Sequence, residues 1–495
     1  MYSILRIFGA IVAFLFLRFV VRAIYRVYFH PLSKFPGPKL YAATRIPHII
    51  DQSTGRRLDA LRDLHRKYGP IVRIQHDELS FTEPNAWKDI YGHGTKGTAG
   101  SPPPKALNRY ASPANGVPSM IVAPNKDHAR QRKIFTPAFS DRALKQQEPL
   151  FFKYMDKLVQ LLKKGIDEDP EKKVDLVRMY NFTTFDVMGR LTFGESLHML
   201  DKSEYDPWVT AIFAGVKLGT SLQLVALYPL LWRFWKRFVP ASINQKRVDH
   251  FNHSITRVTK RLEKGEETED IDLWKYVLTQ KEGRGLDRGE MDSHASLFMI
   301  AGTETTATLV SGLTYYLLTS PDCMRKVCEE VRGAFDTEAD MNMEKIAALP
   351  YLSACIKEAL RLYPPVPIAL HRRTPENGST VVDNFIPPGT TVSIAQHVMY
   401  TDPQYFKKAT EFVPERWLGD PEFENDQRQC VQPFSVGPRD CLGKNMAYHE
   451  MRLLMAKVLY NFDIELCPES NNWTEQATYV VWEKKPLICK LKRAN

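Results

Sequence analysis

The chain has 495 residues, 44% of them hydrophobic, and a formal net charge of +10. That length predicts two to four domains and a sizeable core; the charge, spread along the chain, suits an anionic membrane surface or an acidic partner, with a plain basic face as the bland alternative and no nucleic-acid-binding motif behind it. Seven cysteines, an odd number with no C-x-x-C pair, argue against a disulfide framework and a structural zinc site and favour a reducing compartment.

Residues 7–17, IFGAIVAFLFL, are uninterrupted apolar sequence, and Phe19 to Tyr25 extend the run around Arg18 and Arg22. A membrane-crossing helix needs about 20 such residues; the two arginines can reach the headgroups from near its end. No small-x-small cleavage site follows, and Arg18, Arg22, Arg26 and Lys34 outnumber Arg6 upstream. The pattern predicts a signal anchor over residues 1–27 with its carboxyl side in the cytosol; a buried amphipathic helix is the alternative. KFPGPKL (34–40) reads as a stiff hinge within a 28–54 lead-in, because Pro36 and Pro38 deny helix continuation. Four N-x-S/T sequons, at Asn181, Asn252, Asn377 and Asn472, matter only in segments that reach the secretory lumen.

From residue 55 helical patterns dominate. Strand-like runs are few: IVRI (71–74) with LSFT (79–82), STVVDNFIPPGTTVSI (379–394) with a hairpin turn at Pro387-Pro388-Gly389, and ATYVVW with LICKL near the end. Helices with small appended sheets predict a mainly α protein of α+β character. Residues 98–118, rich in Pro, Gly, Ser and Ala, read as a long functional loop.

Five stretches carry chemistry. HARQR (128–132) precedes the apolar KIFTPAFS. AGTETT (301–306) lies inside SLFMIAGTETTATLVSGLTYYLL, a helix apolar on nearly all faces and therefore buried, so Glu304 and Thr305 need a reason to be there. Gly302 weakens that helix by about 1 kcal/mol relative to alanine, and a threonine hydroxyl bonding back to a carbonyl opens a groove. EALR sets Glu358 and Arg361 at i, i+3, which by default is a surface salt bridge worth under about 1 kcal/mol. PPVPIALHRR (364–373) offers Arg372 and Arg373 as solvated charges. FSVGPRDCLG (434–443) places Cys441 between glycines, two residues after Arg439 and just before a helical pattern with Ala447, Met451, Leu454, Met455 and Val458 on one face. A thiolate is stabilised at such a helix start. An iron ligand and an inert core cysteine both fit the spacing.

F-x-x-G-x-R-x-C-x-G, here Phe434, Gly437, Arg439, Cys441 and Gly443, resembles the haem-binding signature of the cytochrome P-450 superfamily. The resemblance implies that Cys441 is the axial thiolate of haem b and that Arg439 meets a propionate. By the same resemblance AGTETT belongs to the oxygen-activating helix, where Gly302 leaves room for O₂ while Glu304 and Thr305 help deliver protons. Glu358 and Arg361 match E-x-x-R, and Arg416 in PERW (414–417) completes a structural triad. His128 stands where the family often has Trp, and Arg132 and Arg372 are further propionate contacts, with Arg373 a rival for the last. The motifs run in the family's order from about residue 34, which implies one catalytic domain over 55–495 in place of several.

The anchor and hinge resemble those of microsomal fungal members. That implies a single-pass endoplasmic-reticulum protein with its catalytic domain in the cytosol. It also implies a monooxygenase acting on a lipophilic polyketide, terpenoid or alkaloid in secondary or mycotoxin metabolism. NADPH would act only indirectly, through NADPH-cytochrome P-450 reductase docked near Arg130, Lys133 or Lys444, with cytochrome b5 as an optional second donor. Substrate contacts map to 98–118, 205–225, 297–305, 366–371 and 478–482; Leu297, Phe298, Ile368, Ala369, Leu370, Tyr479 and Val480 among them are mostly apolar. The competing readings are a haem-thiolate isomerase or dehydratase acting on peroxides and a non-catalytic haem-binding protein.

Overall fold

The computed structural model describes residues 2–94, 102–110, 113–205, 209, 233, 237, 241–265, 272–279, 285–368 and 370–494. Ala369, parts of the 98–118 loop and most of 205–225 therefore lie outside the described residues. The chain opens on α1 (Tyr2–Ile24), exposed along nearly its whole length, and runs on as a π-turn over Tyr25–Phe29. This 28-residue span, in which an 18-residue stretch has a mean hydropathy of 2.4, is long and apolar enough to cross a membrane.

The 28–54 lead-in, read from the sequence as a stiff hinge, is packed against the body. Leu32 and Phe35 are buried against Trp87, Tyr91 and Tyr400, the Pro36 carbonyl accepts from the Arg73 N–H at 2.7 Å, and a Cβ on Gly37 would stand 2.3 Å from the Arg73 carbonyl oxygen. The lead-in thus packs onto the body from Leu32, well before residue 55.

Six further helices build the frame: α2 (Asn125–Phe135), α3 (Asp141–Glu168), α4 (Leu176–Phe193), α5 (Arg288–Leu318), α6 (Pro350–Leu362) and α7 (Lys444–Asn461). Local chemistry sets their ends. Ser140 and Asp175 cap α3 and α4 through N–H groups three residues on, and Asp287 with Glu290 forms a reciprocal capping box at α5. Gly194, at φ +68°, ends α4 in the left-handed conformation. Tyr363 and the prolines after it end α6, as the sequence predicts.

α4 and α5 are buried on nearly all faces and pack against each other at the centre of the core. Tyr180 and Thr314 share a hydrogen bond of 3.0 Å between them. α7 adds Met451, Leu454, Met455 and Val458 to the same core, the face its periodicity predicts.

The strands are short: β1 (Ile71–Gln75), β2 (Glu78–Phe81), β3 (Lys173–Asp175), β4 (Arg372–Arg373), β5 (Ser379–Val381), β6 (Asn384–Ile386), β7 (Thr391–Ile394), β8 (Phe462–Leu466) and β9 (Ile488–Arg493). They form sheets in the orders β1-β2-β7-β4, β3-β9-β8 and β5-β6. The mainly α architecture with small sheets is the one expected.

Two strand expectations are corrected. The 379–394 hairpin turns at Val382 and Asp383, which take positive φ, and not at Pro387-Pro388-Gly389. β7 cannot pair with β6 because both its edges are taken, one by β2 in parallel and the other by β4 antiparallel. ATYVVW forms no strand: Thr478 bridges Trp482 and also Arg56, and the Tyr479 N–H bonds the Val481 carbonyl, so the segment is a tight turn.

Candidate functional site

Two backbone requirements shape the loop before α7. Gly437 has φ +79°, and a Cβ there would stand 2.2 Å from the Tyr91 carbonyl oxygen, so only glycine fits. The Cys441 N–H donates to the Phe434 carbonyl at 2.9 Å, closing the loop on itself. Phe434 packs its half-buried ring on Tyr448 of α7. Gly443 is the N-cap of α7, so Cys441 does lie at a helix amino end.

Burial pushes the Cys441 thiol up, while the Gly443 N–H, Arg132 and Lys444 pull it down. The residue has accessible surface, yet protein surrounds it on nearly every side; that surface is internal. Phe139 spans the gap to α5: it lies 3.8 Å from where a Gly443 Cβ would be, and its ring centroid is 5.9 Å from that of Phe298.

Cations gather beside this loop. Arg372 and Arg439 are buried, and so is Lys105, which the sequence reading missed. A short antiparallel pairing brings Lys105 in: the Arg373 N–H donates to Pro104 and the Ala106 N–H to His371, with Lys105 opposite Arg372. Nothing in SPPPKAL announces that partner. Its ammonium lies 5.0 Å from the Tyr110 ring centroid, and burial followed by Arg372 and Arg439 lowers its pKa well below the usual lysine value. Burial likewise brings Arg439 down to about 10 and lowers Arg372.

Arg439 bonds Asn125 and the Ala123 carbonyl, yet its Nη1 has no partner; nor do Nε and Nη2 of Arg372. Among the described residues no carboxylate pairs with Lys105, Arg372 or Arg439. Buried cations left this way cost several kcal/mol each, which an anionic group would offset. His128 sits among them, pushed down to about 3 by burial and then by Arg439, Arg132, Lys105 and Arg372, and is neutral. Arg373 is exposed, which separates it from Arg372.

Arg132 is already engaged, donating to the Asp440 carbonyl at 2.6 Å and its carboxylate at 2.5 Å, so it braces the residue before Cys441. All three members of the expected docking set, Arg130, Lys133 and Lys444, are exposed, and Arg130 is paired to Glu290 of the α5 cap.

These residues fit haem: one enclosed sulfur as axial ligand, and a set of buried cations with guanidinium nitrogens still unbonded for two propionates. Among the described residues no three His, Cys, Asp or Glu side chains gather as a metal site.

On α5 the structure separates what the sequence places side by side. Ala301 and Thr305 have accessible surface at mid-helix, and the Thr305 hydroxyl donates back to the Ala301 carbonyl at 2.7 Å, as expected. Glu304 turns away from them, accepting from Lys484 at 2.5 Å. Gly302 keeps some accessible surface beside Ala301, and a Cβ there would lie 2.6 Å from Met188 Sδ, so the glycine also admits α4 against α5.

Glu358, Arg361 and Arg416 converge and are all fully buried. Glu358 accepts from Arg361 at 2.6 and 3.0 Å, from Arg416 at 3.0 Å, from Trp417 at 2.9 Å and from the Val413 N–H at 3.0 Å. This is a network and not the surface pair that the spacing alone describes.

The sequence model described as cytochrome P-450 matches residues 36–491. The chain is 46% identical to the cytochrome P-450 monooxygenase efuB of Hormonema carpetanum, over 98% of this chain and 96% of that protein. It is 46% identical to the monooxygenase FUM2 of Gibberella moniliformis over 95% of this chain and 100% of the relative. To the trichothecene C-4 hydroxylase of Trichoderma arundinaceum it is 42% identical over 95% and 94%.

Proposed function

The chain belongs to the cytochrome P-450 family, and from that premise we propose that it is a membrane-anchored monooxygenase inserting one oxygen atom of O₂ into a lipophilic small molecule, by hydroxylation or epoxidation, in fungal secondary metabolism. Haem b is the family's cofactor, and its electrons come from NADPH through a reductase. The observation that carries the reading is the enclosed Cys441 thiol beside buried cations that have no anion of their own. The relatives' names, one a C-4 hydroxylase of a trichothecene, support hydroxylation within mycotoxin-type pathways.

When bound, haem supplies the oxygen-activating chemistry, which a thiolate ligand strengthens by donating electron density. The chain's own residues do the rest. Cys441 ligates; Lys105, Arg372 and Arg439 bind the propionates; Arg132, through Asp440, fixes the ligand loop; and neutral His128 adds no further charge among those cations. Phe434, Gly437 and Gly443 shape the turn. Thr305, with accessible surface at mid-helix, and Glu304, paired with Lys484, are the pair assigned to proton delivery. Leu297, Phe298, Ile368, Leu370 and Tyr479 supply apolar surface for the substrate. Glu358, Arg361 and Arg416 hold the frame and touch no reactant.

The proposal assigns 1–27 to the anchor, 28–54 to a packed lead-in and 55–495 to catalysis. It places the protein in the endoplasmic reticulum with the catalytic body in the cytosol, on the excess of basic residues after α1. NADPH-cytochrome P-450 reductase, supplemented by cytochrome b5, is its electron donor. Cys441→Ser tests the core of the reading: the variant loses the thiolate-type absorption of the reduced carbonyl complex, and retention of that absorption overturns the ligand assignment. Turnover of a peroxide without NADPH or reductase would assign the protein to the isomerases instead.

A further inference from the structure

Helix Ile46–Ser53 leads into helix Arg57–Tyr68, which packs on β1, and charged side chains from these helices, β2 and the 107–110 loop are buried together. Glu78 is fully buried: its Oε2 accepts from Gln75 at 2.6 Å and from Arg109 Nη2 at 2.6 Å, and His371 Nε2 stands 3.2 Å from Oε1. Arg45 holds Asp77 at 2.6 Å, and Asp51 accepts from the Tyr41 hydroxyl at 2.7 Å. Arg57, 2% exposed, is the cation left over. Among the described residues its guanidinium meets no carboxylate, and its Nη1 is buried without a hydrogen bond. Nε and Nη1 of Arg109 and Nδ1 of His48 are buried and unbonded as well. Burial and then Arg57 lower the His48 pKa well below the usual value, with Glu78, Arg109 and His371 also in reach, so a neutral imidazole stands among all four.

One carboxylate does not answer two buried guanidinium groups, and an unanswered buried cation destabilises the fold until an anion joins it. The surroundings say where that anion comes from. Arg109 belongs to the 98–118 loop and His371 to the 366–371 segment, and the 478–482 turn is fastened alongside. Gln52 donates to the Tyr479 carbonyl at 2.7 Å, the Thr478 N–H donates to the Gly55 carbonyl at 2.8 Å, and a Cβ on Gly55 would stand 2.5 Å from that of Ala477. Three of the five segments expected to contact substrate therefore meet beside Arg57. A neutral lipophilic substrate needs no cation there, whereas a guanidinium fork matches the two oxygens of a carboxylate.

We propose that Arg57 and Arg109, with the His48 imidazole, form a subsite for a carboxylate carried by the lipophilic substrate, while Glu78 holds Arg109 in place. The inference rests on the monooxygenase reading and deepens it by naming a substrate class, the lipophilic carboxylic acids. The charged end of the substrate is held at the subsite, and oxidation falls on the apolar remainder.

The test compares dodecanoate with methyl dodecanoate on the haem-loaded full chain, binding being read from the change in haem absorbance. The acid is expected to bind about tenfold more tightly than the ester, because only the acid answers the free guanidinium nitrogens with charge. In Arg57→Met that advantage disappears, while the thiolate-type carbonyl spectrum stays as the sign of a folded site. No preference for the acid in the wild type, or a full preference kept in Arg57→Met, overturns the proposal. Acetate, which carries the charge without the chain, should not displace dodecanoate at equal concentration. If it does, the cluster takes free anions and is no substrate subsite, which overturns the proposal too. If Arg57→Met does not fold, Arg57→Gln is read instead: loss of the acid's advantage supports the subsite, and its retention overturns it. Failure of the monooxygenase reading would appear separately, as a wild type without the thiolate spectrum or NADPH-driven turnover.

Discussion

Two sets of buried arginines in this protein sit beside family motifs and are opposites in their bonding. Arg361 gives its N–H groups to Glu358 and to the carbonyls of Tyr400, Ala409 and Glu411; Arg416 gives its own to the Glu358 and Asp426 carboxylates and to the carbonyls of Lys407 and Lys408. Every charge there is answered from within the chain. Arg372 and Arg439 retain three unbonded guanidinium nitrogens between them, with the Lys105 ammonium alongside. The first set is a frame that folding completes. The second is complete only when something carrying carboxylates joins it, and this contrast in hydrogen bonding separates a structural cluster from a binding one.

The sharpest way to break the comparison is Glu358→Ala. It leaves two fully buried guanidinium groups facing each other and costs about 3–5 kcal/mol, so the variant is expected to accumulate as unfolded protein whether or not haem is supplied, read by denaturant unfolding. Arg372→Met should behave in the opposite way. Removing an unanswered buried charge leaves the haem-free melting temperature unchanged or higher, while transfer of haem to a scavenging globin becomes about tenfold faster, close to 1.4 kcal/mol. A drop in the haem-free melting temperature with normal haem retention would place Arg372 with the frame instead.

The smallest effect concerns acid. His397, near Arg361, is pushed down to about 4 by burial, and His128, in the cation set, to about 3. Unfolded histidine titrates near 6.5. The unfolded chain therefore binds more protons below that pH, and stability is lost as pH falls through 6.5 toward 4, by up to about 1.4 kcal/mol per pH unit for each histidine. Bound propionates would raise the proton affinity of His128 and leave His397 as it is. Melting temperature against pH should accordingly fall more steeply without haem than with it, and identical acid limbs would remove His128 from the cation set.

The sequence determined what repeats locally or persists as an unbroken motif. The span of α1 follows from uninterrupted apolar residues, the buried 296–318 part of α5 from an apolar run, and the end of α6 from Tyr363-Pro364-Pro365. FSVGPRDCLG singles out Cys441 by its resemblance to a haem-binding signature, a motif held within ten consecutive residues. Tertiary structure alone decided the contacts that join distant segments. It moved the 379–394 turn to Val382 and Asp383, since both edges of β7 were already occupied. It engaged Arg132 with Asp440, and packed Met188 of α4 against Gly302. Lys105 and Lys484 carried no signal in the sequence: a lysine's role is set by which charge it meets after burial. That depends on the pairing of residues 104–106 with β4, and on the carboxyl-terminal turn reaching α5, neither of which has a periodicity or a spacing to read.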